Sequence, residues 1–294
     1  MDLIRCLTND HVRLDGLWYP ATGPRHPALD AVIMHHHVGG NFYAPDFYEM
    51  AVSRLTALGI VVVRVNNRGH DMVNRKTRAD GRFYYLGAAF EQIDDCRRDW
   101  RAWNDVLASR GVQRLAVWGH SLGAMKSLYY ASKEKDPRVA AVVATSPPRF
   151  SHAQYRTDSE EWPIFEQHLA EARALVAAGK GDTLLQVSRP ASIVITARNY
   201  VEKYGPPEGH DYATMIPDIA VPVLLTLGGK EGLTNKPGSS RMSLYGARDY
   251  LRTLEQRHPH FRHVVVEGGD HWYVGVEGAL ADAVVGFFNG LPPR

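Results

Sequence analysis

The stretch Leu115-Ala116-Val117-Trp118-Gly119-His120-Ser121-Leu122-Gly123-Ala124-Met125-Lys126-Ser127-Leu128-Tyr129-Tyr130 decides the reading of this chain. Its first four residues form an apolar run short enough for a buried strand, and the residues from Ala124 onward suit a helix. Between them, Gly119–Gly123 carries the pattern G-x-S-x-G. A serine at so sharp a strand-to-helix turn takes a strained backbone conformation, and flanking glycines leave room for the neighbouring chain. Its hydroxyl then projects from the top of a sheet while the helix start aims amides at the reacting centre. Ser121 is therefore expected to be a nucleophile.

Working outward, short β-branched runs alternate with longer helical patterns. Ala31–His35, Ile60–Val65, Leu115–Gly119, Val139–Thr145, Val221–Leu227 and His263–Glu267 read as buried strands. Val12–Trp18 alternates like an antiparallel edge strand. Phe90, Ile93, Arg97, Trp100, Trp103 and Leu107 follow a three-and-four spacing, which predicts an amphipathic helix of about 20 residues. Strands alternating with helices imply an α/β fold with a mainly parallel sheet covered on both faces. One segment breaks the rhythm. Residues 147–220 hold a helical run, Ile164–Ala178, a Gly-Lys-Gly break at 179–181, aromatics around Tyr200 and Tyr204, and the turn-rich 205–209. The expected organisation is a core formed by residues 1–146 and 221–294, with 147–220 inserted as a cap.

Bulk composition narrows the classes. An apolar fraction of 45% and a charged fraction of 22% are those of an ordinary globular protein. A net charge of +2 gives no reason to expect nucleic acid or an anionic membrane as partner. Cys6 and Cys96 stand far apart in no metal-like spacing, which disfavours a disulfide framework and favours a reducing compartment. The first residues lack a signal-peptide core, and no run is long enough to span a bilayer. A cytoplasmic protein is expected. Homodimerisation is a common assembly but has no signature here.

A serine hydroxyl needs a base within reach, and that base needs an orienting carboxylate. In this architecture they follow in the order nucleophile, acid, histidine. His271 stands on the loop after the last strand, in Gly268-Gly269-Asp270-His271, and is the expected general base. Asp270 is its neighbour and should point elsewhere. After the preceding strand comes Gly228-Gly229-Lys230-Glu231, which makes Glu231 the expected orienting acid. The strand before that runs into Ser146-Pro147-Pro148-Arg149, with no acid until Asp158.

An oxyanion needs two amide donors. Leu122, after the nucleophile, should supply one, and Val38 in the loop His36-His37-Val38-Gly39-Gly40-Asn41 the other. Successive side chains of an extended segment face opposite ways, so the histidine run should not converge on a metal. One of these histidines should pack under the site and another face the pocket. His36, His37, Asn41, Arg149 and Trp272 are the expected substrate contacts. Arg149 either clamps a substrate carboxylate or pairs with a cap acid such as Glu160 or Glu161. Phe42, Tyr43, Trp162, Tyr200 and Trp272 suit an apolar substrate group, although each fits a packing role as well. No cofactor and no metal are expected.

On these residues the chain resembles an α/β-hydrolase along nearly its whole length. Gly119–Gly123 matches the nucleophile elbow, His36–Gly40 resembles the HG-x-x-G oxyanion loop, and Asn67-Arg68-Gly69-His70-Asp71 resembles the turn after the next strand. More narrowly, GGNFYAPDFY, VNNRGHD, GAAFEQIDDC and GHSLGA with SPP resemble bacterial hydrolases related to the serine-aminopeptidase-like and siderophore-esterase-like branches. Two departures stand out: His37 where the oxyanion motif usually has glycine, and Glu231 where most members have aspartate. The resemblance implies acyl transfer to water through a Ser121 intermediate, on a small-molecule ester, lactone or activated amide. Acyl transfer to another acceptor, peptidase action and a non-catalytic receptor are the rival expectations.

Overall fold

The computed structural model describes residues 1–44, 47–77, 83–206, 208–231 and 247–294. Pro45 and Asp46 of the quoted GGNFYAPDFY run, and Pro207 of the turn-rich segment, lie outside these residues.

The chain opens with β1 (Asp2–Leu7) and β2 (Arg13–Tyr19), then β3 (Ala31–His35), α1 (Tyr48–Ala57) and β4 (Val61–Val65). A hairpin, β5 (Asn74–Thr77) and β6 (Phe83–Leu86), precedes α2 (Cys96–Ser109), β7 (Leu115–His120), α3 (Leu122–Glu134) and β8 (Val139–Thr145). Residues 147–220 add α4 (His152–Tyr155), α5 (Trp162–Ala177), β9 (Leu184–Val187), β10 (Ile193–Thr196), α6 (Ala197–Tyr204), α7 (Tyr212–Met215) and a 3₁₀ turn at Ile216–Asp218. β11 (Val223–Gly228), α8 (Ala247–Arg257), β12 (Phe261–Val266) and α9 (Glu277–Asn289) complete the order.

Among the described residues the central sheet has eight strands, in the order β1-β2-β4-β3-β7-β8-β11-β12. From β4 across to β12 all pairings are parallel, whereas β2 runs antiparallel to both of its neighbours. The inner parallel strands β4, β3, β7, β8 and β11 read as continuous apolar runs because both of their faces are buried, whereas β12 is an edge strand that exposes Arg262 and Val264. Period-two geometry then splits each run between two cores. Ala31, Ile33, Leu115, Val117, Val142 and Ala144 join the cluster that holds α2, α3 and α8. Val32, Met34, Ala116, Trp118, Ala141 and Val143 join the one that holds α1 and α9.

The strand order reverses direction at β3. This strand pairs with β4 on one side and β7 on the other, so connections leave their shared ends in opposite directions. That reversal opens a crevice outside the carboxyl ends of the strands, where sheets of this kind bind ligands.

Three details correct the sequence reading. β2 is antiparallel as expected, but the edge belongs to β1, whose Ile4 and Cys6 face inward while Leu3 and Leu7 stay exposed. Apolar residues on both faces hid its alternation. The helix expected from Phe90 begins only at Cys96. The amides of Gly87, Ala88 and Ala89 instead bond the carbonyls of Arg68, Asp71 and Met72, which fixes this stretch as turns. The hairpin β9–β10 was not anticipated from the sequence. No helix among the described residues is long and apolar enough to cross a membrane.

The 147–220 segment shares the main core rather than building its own. Phe150, Tyr155, Phe165, Leu169, Tyr200 and Tyr212 belong to the same cluster as Leu122, Met125 and Leu128 of α3. α5 ends at Ala177, just ahead of Gly179 in left-handed backbone. Phe165→Ala should therefore cost the whole molecule about 3–5 kcal/mol. Urea unfolding followed by circular dichroism and tryptophan emission should give one shared transition, shifted to lower urea. A separate early transition would mean that the segment folds on its own.

Candidate active site

β7 ends at His120 and α3 begins at Leu122, so Ser121 alone makes the turn, at φ 54°, ψ −121°. That backbone region is costly for a residue with a Cβ. The glycines permit it by allowing close approach. A Cβ on Gly119 would lie 2.1 Å from the Gly123 carbonyl oxygen, and one on Gly123 would lie 2.4 Å from that of His36. The Ser121 amide bonds the Thr145 carbonyl at the end of β8 (2.8 Å), which pins the turn to the sheet.

Ser121 Oγ lies 3.0 Å from His271 Nε2, and His271 Nδ1 lies 2.5 Å from Glu231 Oε1. The other Glu231 oxygen accepts from the Ser146 hydroxyl (2.6 Å) and the Gly228 amide (2.7 Å). Ser146 Oγ in turn is 2.8 Å from the Tyr273 hydroxyl, which lies 3.2 Å from Thr226 Oγ1. With Ser146 donating to the carboxylate, Tyr273 donates to Ser146 and Thr226 to Tyr273. Burial and the Glu231 carboxylate hold the Tyr273 phenol well above its ordinary range, so it stays protonated as a donor. Asp270 takes no part in this line. Its carboxylate accepts from the Trp272 and Val274 amides and closes the turn that carries His271.

Ser146 and Tyr273 escaped the sequence reading. Both have left-handed backbone, at φ 50° and 58°, as does Ser121. Ser146 follows a strand end directly, as Ser121 does, and that position was the available signal. It occupies the place after β8 where no acid was found, and it ties Glu231 to that strand.

The run His35-His36-His37, which ends β3 and begins the following loop, sends its three side chains into different surroundings. His35 is fully buried and stacks on Trp100, ring centres 3.5 Å apart. His36 lies beneath the loop: its Nδ1 is 2.7 Å from the His37 carbonyl, and its Nε2 accepts from the Asn67 amide at 3.3 Å. A carbonyl only accepts, so Nδ1 carries the hydrogen. Burial keeps the ring neutral, well below the usual histidine range. The Gly40 amide bonds the same His37 carbonyl (3.1 Å). That carbonyl and the Val38 N–H belong to one planar peptide and point opposite ways. Fixing one therefore fixes the other. His37 is the outward histidine, edge-on to the half-exposed Trp272 at 4.6 Å.

Other expected contacts are engaged with the protein itself. Asn41 accepts from the Ala44 amide and donates to Asp71, which closes its own loop. Arg149 grips Asp211 through Nε and Nη2 at 3.0–3.1 Å and lies over the Tyr250 ring. Its acid is Asp211 rather than Glu160 or Glu161, and Asp211 also caps α7 through the Ala213 amide. His36, likewise, has both ring nitrogens committed below the loop and none toward the crevice.

Behind the site runs a charged cluster that the sequence did not signal. Lys126 of α3 is buried, donates to Asn67 Oδ1 (3.2 Å) and pairs with Glu91. Glu91 lies 3.9 Å from buried Lys203 of α6. Breaking such a pair from one side leaves an uncompensated charge, so the cluster locks Asn67 beneath His36.

Comparison with known proteins agrees with this architecture. Est1E from Butyrivibrio proteoclasticus with ferulic acid bound is 16% identical, with a TM-score of 0.64 over 97% of each chain. DcsB in complex with its substrate analogue is 16% identical, TM-score 0.67, covering 98% of this chain and 97% of its own. An esterase from Pyrococcus furiosus is 16% identical, TM-score 0.60, covering 98% and 88%. At such identities the likeness is one of fold. A search by sequence against curated proteins finds no match. The profile of the alpha/beta hydrolase family matches residues 32–283. With the sheet order and the turn at Ser121, that match settles the family: the chain is an α/β hydrolase.

Proposed function

We propose that the protein is a serine hydrolase that cleaves a carboxylic ester, lactone or activated amide of a small molecule. The observation that carries this reading is the unbroken hydrogen-bonded line Ser121–His271–Glu231, closed behind by Ser146 and Gly228. His271 Nε2 takes the Ser121 proton as Oγ attacks the substrate carbonyl, and the imidazolium then protonates the leaving group. Water attacks the acyl-enzyme by the same route in reverse. Glu231 holds the Nδ1–H tautomer and stabilises the imidazolium without taking its proton. The oxyanion is received by the Leu122 amide, at the start of α3 ahead of any intrahelical acceptor, and by the Val38 amide.

Water is the preferred acceptor because a third of the His271 side chain is open to solvent. His37 and Trp272 rim the site and suit an aromatic or apolar acyl group. The ferulic acid held by Est1E, an aromatic acid, supports the same class. Residues 147–220 act as a cap, with the Arg149–Asp211 pair clamping its return to the β8 loop. Two buried, unpaired cysteines suit a reducing cytoplasm.

A fluorophosphonate probe should form an adduct on Ser121, located by mass spectrometry, and Ser121→Ala and His271→Ala should abolish it. Glu231→Gln should slow labelling about ten-thousand-fold. A folded wild-type protein that stays unlabelled would defeat the reading. Ser146→Ala leaves the Tyr273 hydroxyl and one Glu231 lone pair unmatched, so it should cost about 1–3 kcal/mol in urea unfolding. It should slow labelling as well, and wild-type values for both would remove Ser146 from the account.

A further inference from the structure

His120, the residue between Gly119 and the nucleophile, is fully buried at the last position of β7. Its Nε2 lies 2.8 Å from the backbone carbonyl oxygen of His271, 151 positions along the chain. The carbonyl can only accept, so Nε2 carries the hydrogen and donates it. The ring is set edge-on against Phe47 at 4.9 Å and lies 5.3 Å from Trp272 and 5.0 Å from the His271 ring. Phe47 itself is buried against Tyr48 and Trp118.

We propose that His120 is a positioning residue that grips the backbone of the general base and so sets the distance between His271 Nε2 and Ser121 Oγ. This role rests on the serine hydrolase reading of the site.

The base turn has other anchors, but each acts elsewhere. Asp270 closes the turn on itself, through the Trp272 and Val274 amides. Tyr273 ties the far side of the turn to Ser146 and Thr226, beside the acid. The Gly269 carbonyl accepts the Lys230 amide, which joins the turn to the β11 loop. Each of these three residues registers the base against itself or against the acid. His120 registers it against the nucleophile, because it is covalently next to Ser121. One residue thus spans the two backbones whose side chains exchange the proton. A base displaced by about 1 Å loses the aligned 3.0 Å contact, and misplacement of that size costs up to about a hundredfold in rate.

The chemistry of the gripping group fits the task. Burial, and next the nearby His271, hold His120 well below the usual histidine range. It donates as a neutral ring, so no second cation opposes the imidazolium that forms on His271. Lysine or arginine could reach a carbonyl too, but would bring a permanent charge beside that imidazolium.

The test compares His120→Gln, whose amide nitrogen can reach the place of Nε2, with His120→Asn and His120→Ala, which cannot bridge the gap. Three quantities are read: the rate of fluorophosphonate labelling at Ser121, kcat and KM on p-nitrophenyl butyrate, and amide hydrogen exchange across 268–276. His120→Ala and His120→Asn should lose about 10–100-fold in labelling rate and kcat with KM within about twofold, and should exchange faster across the turn. His120→Gln should recover most of both losses. Equal behaviour of the Gln and Asn variants, or wild-type labelling with faster exchange, would overturn the proposal. If His120→Ala does not fold, the Gln–Asn comparison decides alone. If the wild type is never labelled, yet exchange rises in Asn and recovers in Gln, the grip stands and the hydrolase reading falls instead.

Discussion

Everything at this site depends on one backbone turn: Ser121 held at positive φ between β7 and α3. A side-chain-bearing residue in such a region costs about 1–3 kcal/mol, so surrounding structure has to impose it. Here Gly119 and Gly123 bring β7, α3 and the His36 loop within contact distance, and the Thr145 carbonyl holds the Ser121 amide. The turn also lies where the strand order reverses, so the loops after β3 and β7 part around a crevice. From that position Ser121 faces His271 on the turn after β12, which in turn bonds Glu231 after β11.

Each member of the hydrogen-bonded line is then held by a neighbour outside it. Ser146 bonds the Glu231 carboxylate, Tyr273 bonds Ser146, His120 holds the His271 carbonyl, and His36 fixes the peptide that carries the Val38 amide. Further back, Lys126 and Glu91 lock Asn67, whose amide sets the tautomer of His36. Such layering keeps this hydrogen-bonded geometry while leaving His271 and Trp272 open at the crevice. The support combines neutral hydrogen bonds near the serine with a buried ion pair, Lys126 and Glu91, further back.

Much of this was legible in the sequence, for physical reasons. The strands β4, β3, β7, β8 and β11 are buried on both faces, so their composition marks them, and the expected ends of these strands and of β12 fall within two residues of those observed. Ser121, Glu231 and His271 each follow a strand end on the same edge of the sheet, and connectivity orders them. What stayed hidden depends on pairing across long sequence distances. Nothing near Ser146 announces Tyr273, and nothing near Arg149 announces Asp211. β1 was obscured by Leu3 and Leu7 on its exposed face, and α2 was overestimated because Phe90 and Ile93 are apolar inside turns. His36 looked like a substrate contact because its loop was recognised, whereas its direction is set by Asn67, 31 residues away.

On the proposed reading, one strained turn and two loops assemble a nucleophile, a base and two amide donors around a single point. A crystal structure of the protein after reaction with a small phosphonate tests that most directly. Phosphorus should be bonded to Ser121 Oγ, with its non-bridging oxygen within hydrogen-bond distance of the Leu122 and Val38 amides and His271 Nε2 facing the leaving-group side. A phosphonyl oxygen turned away from those amides, or an adduct on any other residue, would contradict it.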